Sequence, residues 1–401
     1  MRREGVRPWA QAALTLWAGA FLAVCVRAYL KPAAHSCYPI FAEAARHWTA
    51  GTDLYGPGGT IDQYRYSPLV AALLTPLTAF PDRWGGLLWR GLNAAALAGG
   101  LWWWAGASGG RRPPGEFNQE ADAPSSPGLL FLLVLPLAVG NWNNGQANPL
   151  VLGLMLASVA AAAHRRWNGA AVCTALAGLL KVYPLALGLL LAAVYPRRFA
   201  GRLALALAAG LLLPFLLQRP GYVTAQYEGW VQSLAADDRS ALPAEYGYRD
   251  LALLSRVWLV PLSPAGYRAA QFLVGAAMAG LCLAGRRAGW PEGRLLGLLL
   301  ALATCWMTLF GPATESCTYL LLAPALAGAV LKVRRPGEPV WAGGVAWAGY
   351  VLLAVAAAAC WFPAGRSFQA LGPQPAAALL FLVHVLAHRN GVEPWPRTSP
   401  C

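Results

Sequence analysis

The chain has 401 residues, of which 57% are hydrophobic and 12% charged, and its formal net charge is +14. Soluble domains carry about 25% charged residues, so half of the usual charge is missing, which excludes an ordinary soluble domain. Apolar runs of about 18 or more residues recur along the chain, each long enough to cross roughly 30 Å of hydrocarbon. Alternating strands of about ten residues, the mark of a membrane β-barrel, are absent, so the expected class is an all-α polytopic membrane protein.

The positive charge does not form a nucleic-acid face. Basic residues gather at the ends of apolar runs: Arg2, Arg3 and Arg7; Arg165 and Arg166; Arg197, Arg198 and Arg202; Arg286, Arg287 and Arg294; Lys332, Arg334 and Arg335. The positive-inside rule distributes charge in this way. The eight cysteines form no CxxC pair. Most lie within apolar runs, where free Cys behaves as a small hydrophobe, so neither a disulfide framework nor a metal site is expected.

In chain order, Arg2, Arg3 and Arg7 set the N-terminus in the cytoplasm, and Trp9–Leu30 is an anchor helix too long for a signal-peptide core. It delivers a first outer loop, 31–67, whose stretch AEAARHWTAGTDLY reads as an amphipathic helix. Pro68–Phe80 is short, and Trp84–Ala105 ends in the aromatic belt Trp102, Trp103 and Trp104. Residues 106–127 form a Pro/Gly/Ser-rich flexible linker. Gly128–Val139, the polar break GNWNNGQANP and the run Leu150–His164 follow.

Asn168–Tyr195 is apolar but interrupted at Lys181–Pro184, with Arg clusters on both flanks. Both flanks favour the cytoplasm, so the stretch is expected to turn back with Lys181 near its apex; a single long helix is the alternative. Gly201–Gln218 then leads to a second outer loop, 219–264. Further spans are expected near 266–285, 294–311, 314–332, 341–362 and 373–388, with the C-terminus inside. Between the first outer loop and Arg165 an even number of apolar runs must make an odd number of crossings. Pro68–Phe80 or Gly128–Val139 is therefore expected to be re-entrant or interfacial, which leaves about twelve crossing helices.

The polar features of the outer side come from distant parts of the chain: Glu43 to Arg65, Asn141–Asn148, Lys181, and the turn Gly311–Ser316 with Glu315. An ionisable group at membrane level is costly and marks a functional site by default. Carboxylates, a lysine and amides on one face suit a lipid-anchored anionic substrate with a hydroxylated head group.

Three segments in order, AEAARHWTAGTDLY with YRYSPLVAALLTPLTAFPDRWGGLLWRGLN, then NGQANPLVLGLMLA, then AGLLKVYPLALGLLLAAVYPRR, resemble glycosyltransferase family 87 over residues 37–202. The resemblance implies a GT-C-like bundle. It also implies transfer of a sugar, mannose being one candidate, from a polyprenyl-phosphate donor to a lipid or glycan acceptor at the outer face of the plasma (inner) membrane. It implies an acidic residue of the first outer loop as general base, since a positioned carboxylate takes the proton of the attacking hydroxyl. A cation must meet the charge developing on the leaving phosphate. Where the family usually carries Asp, this chain reads Ser36-Cys37-Tyr38, and a thiol with an ordinary pKa near 8.5 is a poor base.

The candidate bases are therefore Glu315, Glu43 and Asp62. The candidate substrate contacts are Lys181 and Arg65 for phosphate, with Tyr66 beside Arg65, and Gln146 and Asn148 for the sugar. Each has a structural counterpart. Glu43 and Arg46 suit a surface i, i+3 pair, Asp62 suits a turn, and Glu315 suits the start of a helix. Lys181 suits snorkelling, and Asn148 suits a helix cap. A transporter or flippase of lipid-linked saccharide, and a non-catalytic relative of the enzyme, are the other readings. Neither a cofactor nor a nucleic-acid partner is expected.

Overall fold

The computed structural model describes residues 6–56, 63–108, 127–236, 242–332 and 340–387. Asp62 and most of the 106–127 stretch lie outside the described residues. Every regular element among the described residues is helical. The first half of the chain holds α1 (Val6–Leu30), α2 (Tyr38–Ala50), α3 (Pro68–Leu74), α4 (Asp82–Ser108), α5 (Pro127–Asn144), α6 (Asn148–Ala163), α7 (Trp167–Leu180) and α8 (Leu185–Val194). The second half holds α9 (Gly201–Leu217), α10 (Pro220–Ala236), α11 (Leu251–Trp258), α12 (Pro264–Arg287), α13 (Glu292–Leu309), α14 (Ala323–Lys332), α15 (Val340–Ala359), α16 (Gly365–Ala370) and α17 (Pro373–Ala387).

Five helices, Pro8–Leu30, Pro196–Leu217, Pro264–Arg287, Glu292–Leu309 and Trp341–Ala359, are long and apolar enough to cross a membrane, and shorter apolar helices accompany them. The chain is a multi-pass membrane protein. Leu205, Leu212 and Leu216 of α9 and Phe272 and Leu273 of α12 point out of the bundle. Lipid tails are as apolar as leucine, so such faces cost nothing in a bilayer, and helix association rests on close packing. That packing is visible where α4 lies along α6. Gly100 and Gly153 bring the two backbones so close that a Cβ on either would strike the other helix's main chain.

One large core joins the bundle helices, and a second, smaller one sits under α2. Helix α2 buries Tyr38, Phe41, Ala42, Ala44, Ala45 and Trp48, and leaves Glu43 and Arg46 outside. Burial of Phe41 and Trp48 each contributes about 1.5–3 kcal/mol. The helix ends at Gly51, whose φ of 70° lets its N–H reach the last carbonyls. The amphipathic helix expected from AEAARHWTAGTDLY is therefore present, and it lies over α3 and α4.

The sequence pattern and the structure part at two places. Helix α5 continues through Asn141–Asn144, so most of the polar stretch GNWNNGQANP is its final turn rather than a loop. Asn141 is tolerated there because its amide donates to the Leu137 carbonyl at 3.2 Å. The stretch 219–264 also contains helices, α10 and α11. Helix α11 starts at Asp250, whose carboxylate accepts the Leu253 N–H at 3.1 Å, and this N-cap bond satisfies a donor the helix cannot.

Candidate functional site

The interruption at Lys181–Pro184 separates α7 from α8. Proline disfavours a helical residue before it, and Lys181 ends α7 in an extended conformation, φ −142° and ψ 136°. This frees its side chain to turn inward. Its ammonium donates to Asn148 Oδ1 at 2.8 Å. It also lies 5.7 Å from the ring centre of Tyr66 and 5.6 Å from that of Tyr183, within cation–π range.

Asn148 opens α6 and is fully buried. Its amide oxygen also accepts the Tyr183 hydroxyl at 2.9 Å, and its amide nitrogen donates to Asn141 Oδ1 at 3.0 Å. This network fixes which way the Asn148 amide points and so where the ammonium sits. Burial opposes the charge on Lys181, and the acidic groups around it, Glu315 among them, offset that effect. Burial pushes the Tyr66 and Tyr183 phenols up, so at neutral pH they act as dipoles and π faces.

The turn before α6 brings in the residues that open α2. Gly145, with φ of 65°, makes the reversal. The Cys37 N–H donates to the Asn144 carbonyl at 2.7 Å, and Gln146 Nε2 approaches Cys37 Sγ at 3.3 Å. Arg90 pins this turn from inside. It is 2% exposed and donates to the Trp142 carbonyl at 2.8 Å, the Asn143 carbonyl at 3.0 Å and Ser36 Oγ at 3.0 Å. The neighbouring Trp89 indole donates to the Gly145 carbonyl at 2.8 Å.

Glu315 arrives from the far half of the chain, at the start of a short 3₁₀ turn, Ser316–Leu322. It caps that turn reciprocally: its carboxylate accepts the Thr318 N–H, and Thr318 Oγ1 accepts the Glu315 N–H at 3.2 Å. Cys317 Sγ also approaches Glu315 Oε2, at 3.7 Å. The same carboxyl lies within electrostatic reach of Lys181, Tyr66 and Tyr183.

The structure thus gathers Lys181, Tyr66, Asn148 and Glu315, with Gln146 reaching the group through Cys37. Arg65 is half-buried one residue from Tyr66, and its carbonyl accepts the Trp230 indole at 3.1 Å. Glu43 is not brought in: its side chain is 72% exposed and faces His47 at 3.7 Å. Sequence reasoning missed Arg90, although a lone arginine inside the run Trp84–Ala105 was a usable signal. It also missed Tyr183, which shares Asn148 with Lys181.

A lysine held by an amide between two phenol rings, with a carboxyl across from it, can neutralise a phosphate and take a proton. Residues 64–312, more than half of the chain, match the family model for glycosyltransferase family 87. No curated protein matches the chain. Among solved structures, ArnT from Cupriavidus metallidurans bound to undecaprenyl phosphate is similar, with 17% identity, coverage of 94% of this chain and 77% of that one, and a TM-score of 0.39. The apo state of the same protein gives 14% identity, 94% and 78% coverage, and a TM-score of 0.41.

Proposed function

Because the chain belongs to glycosyltransferase family 87, we propose that it moves a hexose, mannose being the first candidate, from a polyprenyl-phosphate donor to a lipid or glycan acceptor at the outer face of the membrane. The observation that carries this reading is Lys181 seated on Asn148 between Tyr66 and Tyr183, with the Glu315 carboxyl among the acidic groups that act on its charge.

On this reading the donor phosphate sits at Lys181. The acceptor hydroxyl attacks the anomeric carbon while the bond from that carbon to the phosphate oxygen breaks. The hydroxyl proton passes to the Glu315 carboxylate, and the electron pair of the broken bond leaves on the polyprenyl phosphate. Lys181 meets the second phosphate charge as it develops, and such preorganised compensation is usually a large share of the rate. Gln146 and Asn148 are the amides placed to orient the sugar, and Arg65 is a second phosphate cation. About twelve crossing helices, cytoplasmic termini, a re-entrant or interfacial segment at Pro68–Phe80 or Gly128–Val139 and residence in the plasma membrane complete the proposal.

The test is transfer by the purified full chain from a panel of polyprenyl-phosphate sugars, comparing wild type with Glu315→Gln and Glu43→Gln. In Glu315→Gln the new amide oxygen keeps the cap bond, but the side chain no longer takes a proton. General-base loss costs about 10²–10⁴-fold, so Glu315→Gln is expected to lose at least a hundredfold in kcat and Glu43→Gln less than threefold. Undiminished transfer by Glu315→Gln would remove Glu315 from the base role, and no transfer from any donor would sink the reading as a whole.

A further inference from the structure

Ser316, the residue after Glu315, faces a separate space. A cavity of about 560 Å³ is lined by Ser316, Arg249, Arg366, Gln369, Trp361 and Phe362, among others. Lys181, Tyr66, Asn148 and Glu315 do not line it, and its link to Glu315 is the next residue, Ser316. Consecutive residues at the start of one 3₁₀ turn thus serve two places: Glu315 looks to the lysine, and Ser316 to the cavity.

The cavity wall is cationic. Arg249 is 6% exposed, and its guanidinium donates to the Ala244 carbonyl and, at 2.8 Å, to the Glu245 carbonyl. Its own N–H donates to the Thr314 carbonyl at 2.7 Å, which ties it to the residue before Glu315. Arg366 contributes a second guanidinium, and His35 a titratable ring. Arg27 lies 5.7 Å from the Trp361 ring centre. Among the described residues no carboxylate lines the cavity, and none comes within ion-pair distance of Arg249 or Arg366. Two carbonyls hold the Arg249 guanidinium and the Glu245 carboxyl favours its charge from further off, so with Arg366 the wall keeps a net positive charge that an anion can meet.

The floor is polar and the rim apolar. Ser316 Oγ donates to Gln369 Oε1 at 2.5 Å, and Gln374 Nε2 donates to Ser316 Oγ at 3.3 Å. Gln374, 1% exposed, stands behind them without lining the cavity, and its Nε2 also donates to Gln369 Oε1. Trp361 and Phe362 are exposed at the mouth. Trp258 joins this end of the bundle through its indole, which donates to the Leu371 carbonyl at 2.8 Å, and the apolar Leu259 and Val260 follow it at the surface.

We propose that this cavity is the acceptor site, and that the acceptor is a phosphate-bearing lipid whose phosphate lies on Arg249 and Arg366 and whose tail leaves past Trp361 and Phe362. This rests on the transferase reading above, with Lys181 keeping the donor phosphate. It gives the protein two phosphate sites joined through the consecutive residues Glu315 and Ser316. A hydroxylated head group anchored on the arginines spans the Gln369–Ser316 floor and presents its nucleophile to Glu315.

Binding by the full chain in nanodiscs of neutral lipid tests this, read by tryptophan fluorescence. The probes are dioctanoyl phosphatidylglycerol, dioctanoylglycerol, inorganic phosphate and undecaprenyl phosphate. Dioctanoyl phosphatidylglycerol is expected to bind. Arg366→Gln should weaken it about tenfold or more, the scale of a charge-assisted hydrogen bond, and Lys181→Met should leave it within threefold. Undecaprenyl phosphate should show the reverse dependence. Arg366 is exposed, so its variant keeps the fold; a thermal melt matching wild type verifies this, whereas Arg249→Gln would disturb the loop it ties down.

Equal binding of dioctanoylglycerol would overturn the proposal, as would indifference to Arg366→Gln. Saturation by inorganic phosphate at the same concentration would reduce the cavity to a free-phosphate site, and displacement by undecaprenyl phosphate would make it the donor's. If no polyprenyl-phosphate sugar is used at all, the transferase reading fails, while the Arg366-dependent binding still decides the anionic-lipid site by itself.

Discussion

Replacing Lys181 with methionine removes one charge and keeps most of the aliphatic stem. The fold should tolerate it. The bond from Nζ to Asn148 Oδ1 at 2.8 Å is lost, but that oxygen still accepts the Tyr183 hydroxyl at 2.9 Å. No buried acceptor is orphaned, and the stability cost should stay near 1–2 kcal/mol. The chemistry should not tolerate it. A unit charge on a phosphate about 4 Å from the ammonium, at an effective dielectric near 20, is attracted by about 4 kcal/mol. The donor is a phosphodiester with one charge and the leaving group a monoester with two, so the attraction grows as the glycosidic bond breaks. Methionine should therefore lower kcat/KM by about a thousandfold and kcat itself by at least tenfold, since part of the loss falls only on the transition state. Lys181→Arg should fall between, because a guanidinium keeps charge but cannot occupy the same seat on Asn148. The assay is transfer from a labelled polyprenyl-phosphate sugar by protein in nanodiscs, with a melt to show that each variant is folded. A folded Lys181→Met protein with kcat/KM within threefold of wild type would refute the assignment of the phosphate to this lysine.

Arg90→Met should destabilise by about 3 kcal/mol, since the carbonyls of Trp142 and Asn143 each lose a charged donor in a buried setting. A thermal melt should fall by about 3–4 °C, and an unchanged midpoint would show that the turn holds itself. Cys37→Asp placed in the Glu315→Gln background should restore transfer at least tenfold over Glu315→Gln alone, whereas Cys37→Ser should not; no restoration would mean that Cys37 does not border the acceptor hydroxyl.

What the sequence made legible is what composition and periodicity encode locally. The α7–α8 interruption was readable because Pro184 breaks a helix and both flanks carry arginine. Helix α2 was readable because Phe41, Ala44, Ala45 and Trp48 recur at helical spacing between charged residues. The tail of α5 was not readable, because Asn141, Asn143 and Asn144 are turn residues by propensity. Burial and long-range partners overrode propensity there: Asn141 meets Asn148 across the turn at 3.0 Å, and the Asn143 side chain meets Arg27 at 2.7 Å, 116 positions away in the chain. Arg90 escaped for the same reason, since its acceptors are carbonyls that no residue type advertises. The arginine cavity was illegible in principle, because Arg249 and Arg366 lie more than a hundred residues apart and only packing makes them one wall.

The departure at Cys37 is easier to understand once charge is counted around Lys181. Cys37 and Glu315 approach Tyr66 from different elements, one from the start of α2 and one from the cap of a 3₁₀ turn. Both lie within electrostatic reach of the buried Tyr66. Carboxylates at both positions would set two negative charges in one poorly solvated space against a single ammonium. Like charges so placed push one of the pair toward its protonated form, and a protonated acid cannot serve as a base. With a thiol at position 37 there is one carboxyl and one ammonium before the donor arrives, and Gln146 Nε2 faces sulfur rather than an anion. On the proposed reading the loss of the first-loop acid and the presence of Glu315 are therefore one change. On that reading the base comes from the cap of the 3₁₀ turn, one residue before Ser316 of the cavity wall, and the acceptor is expected to approach from that side.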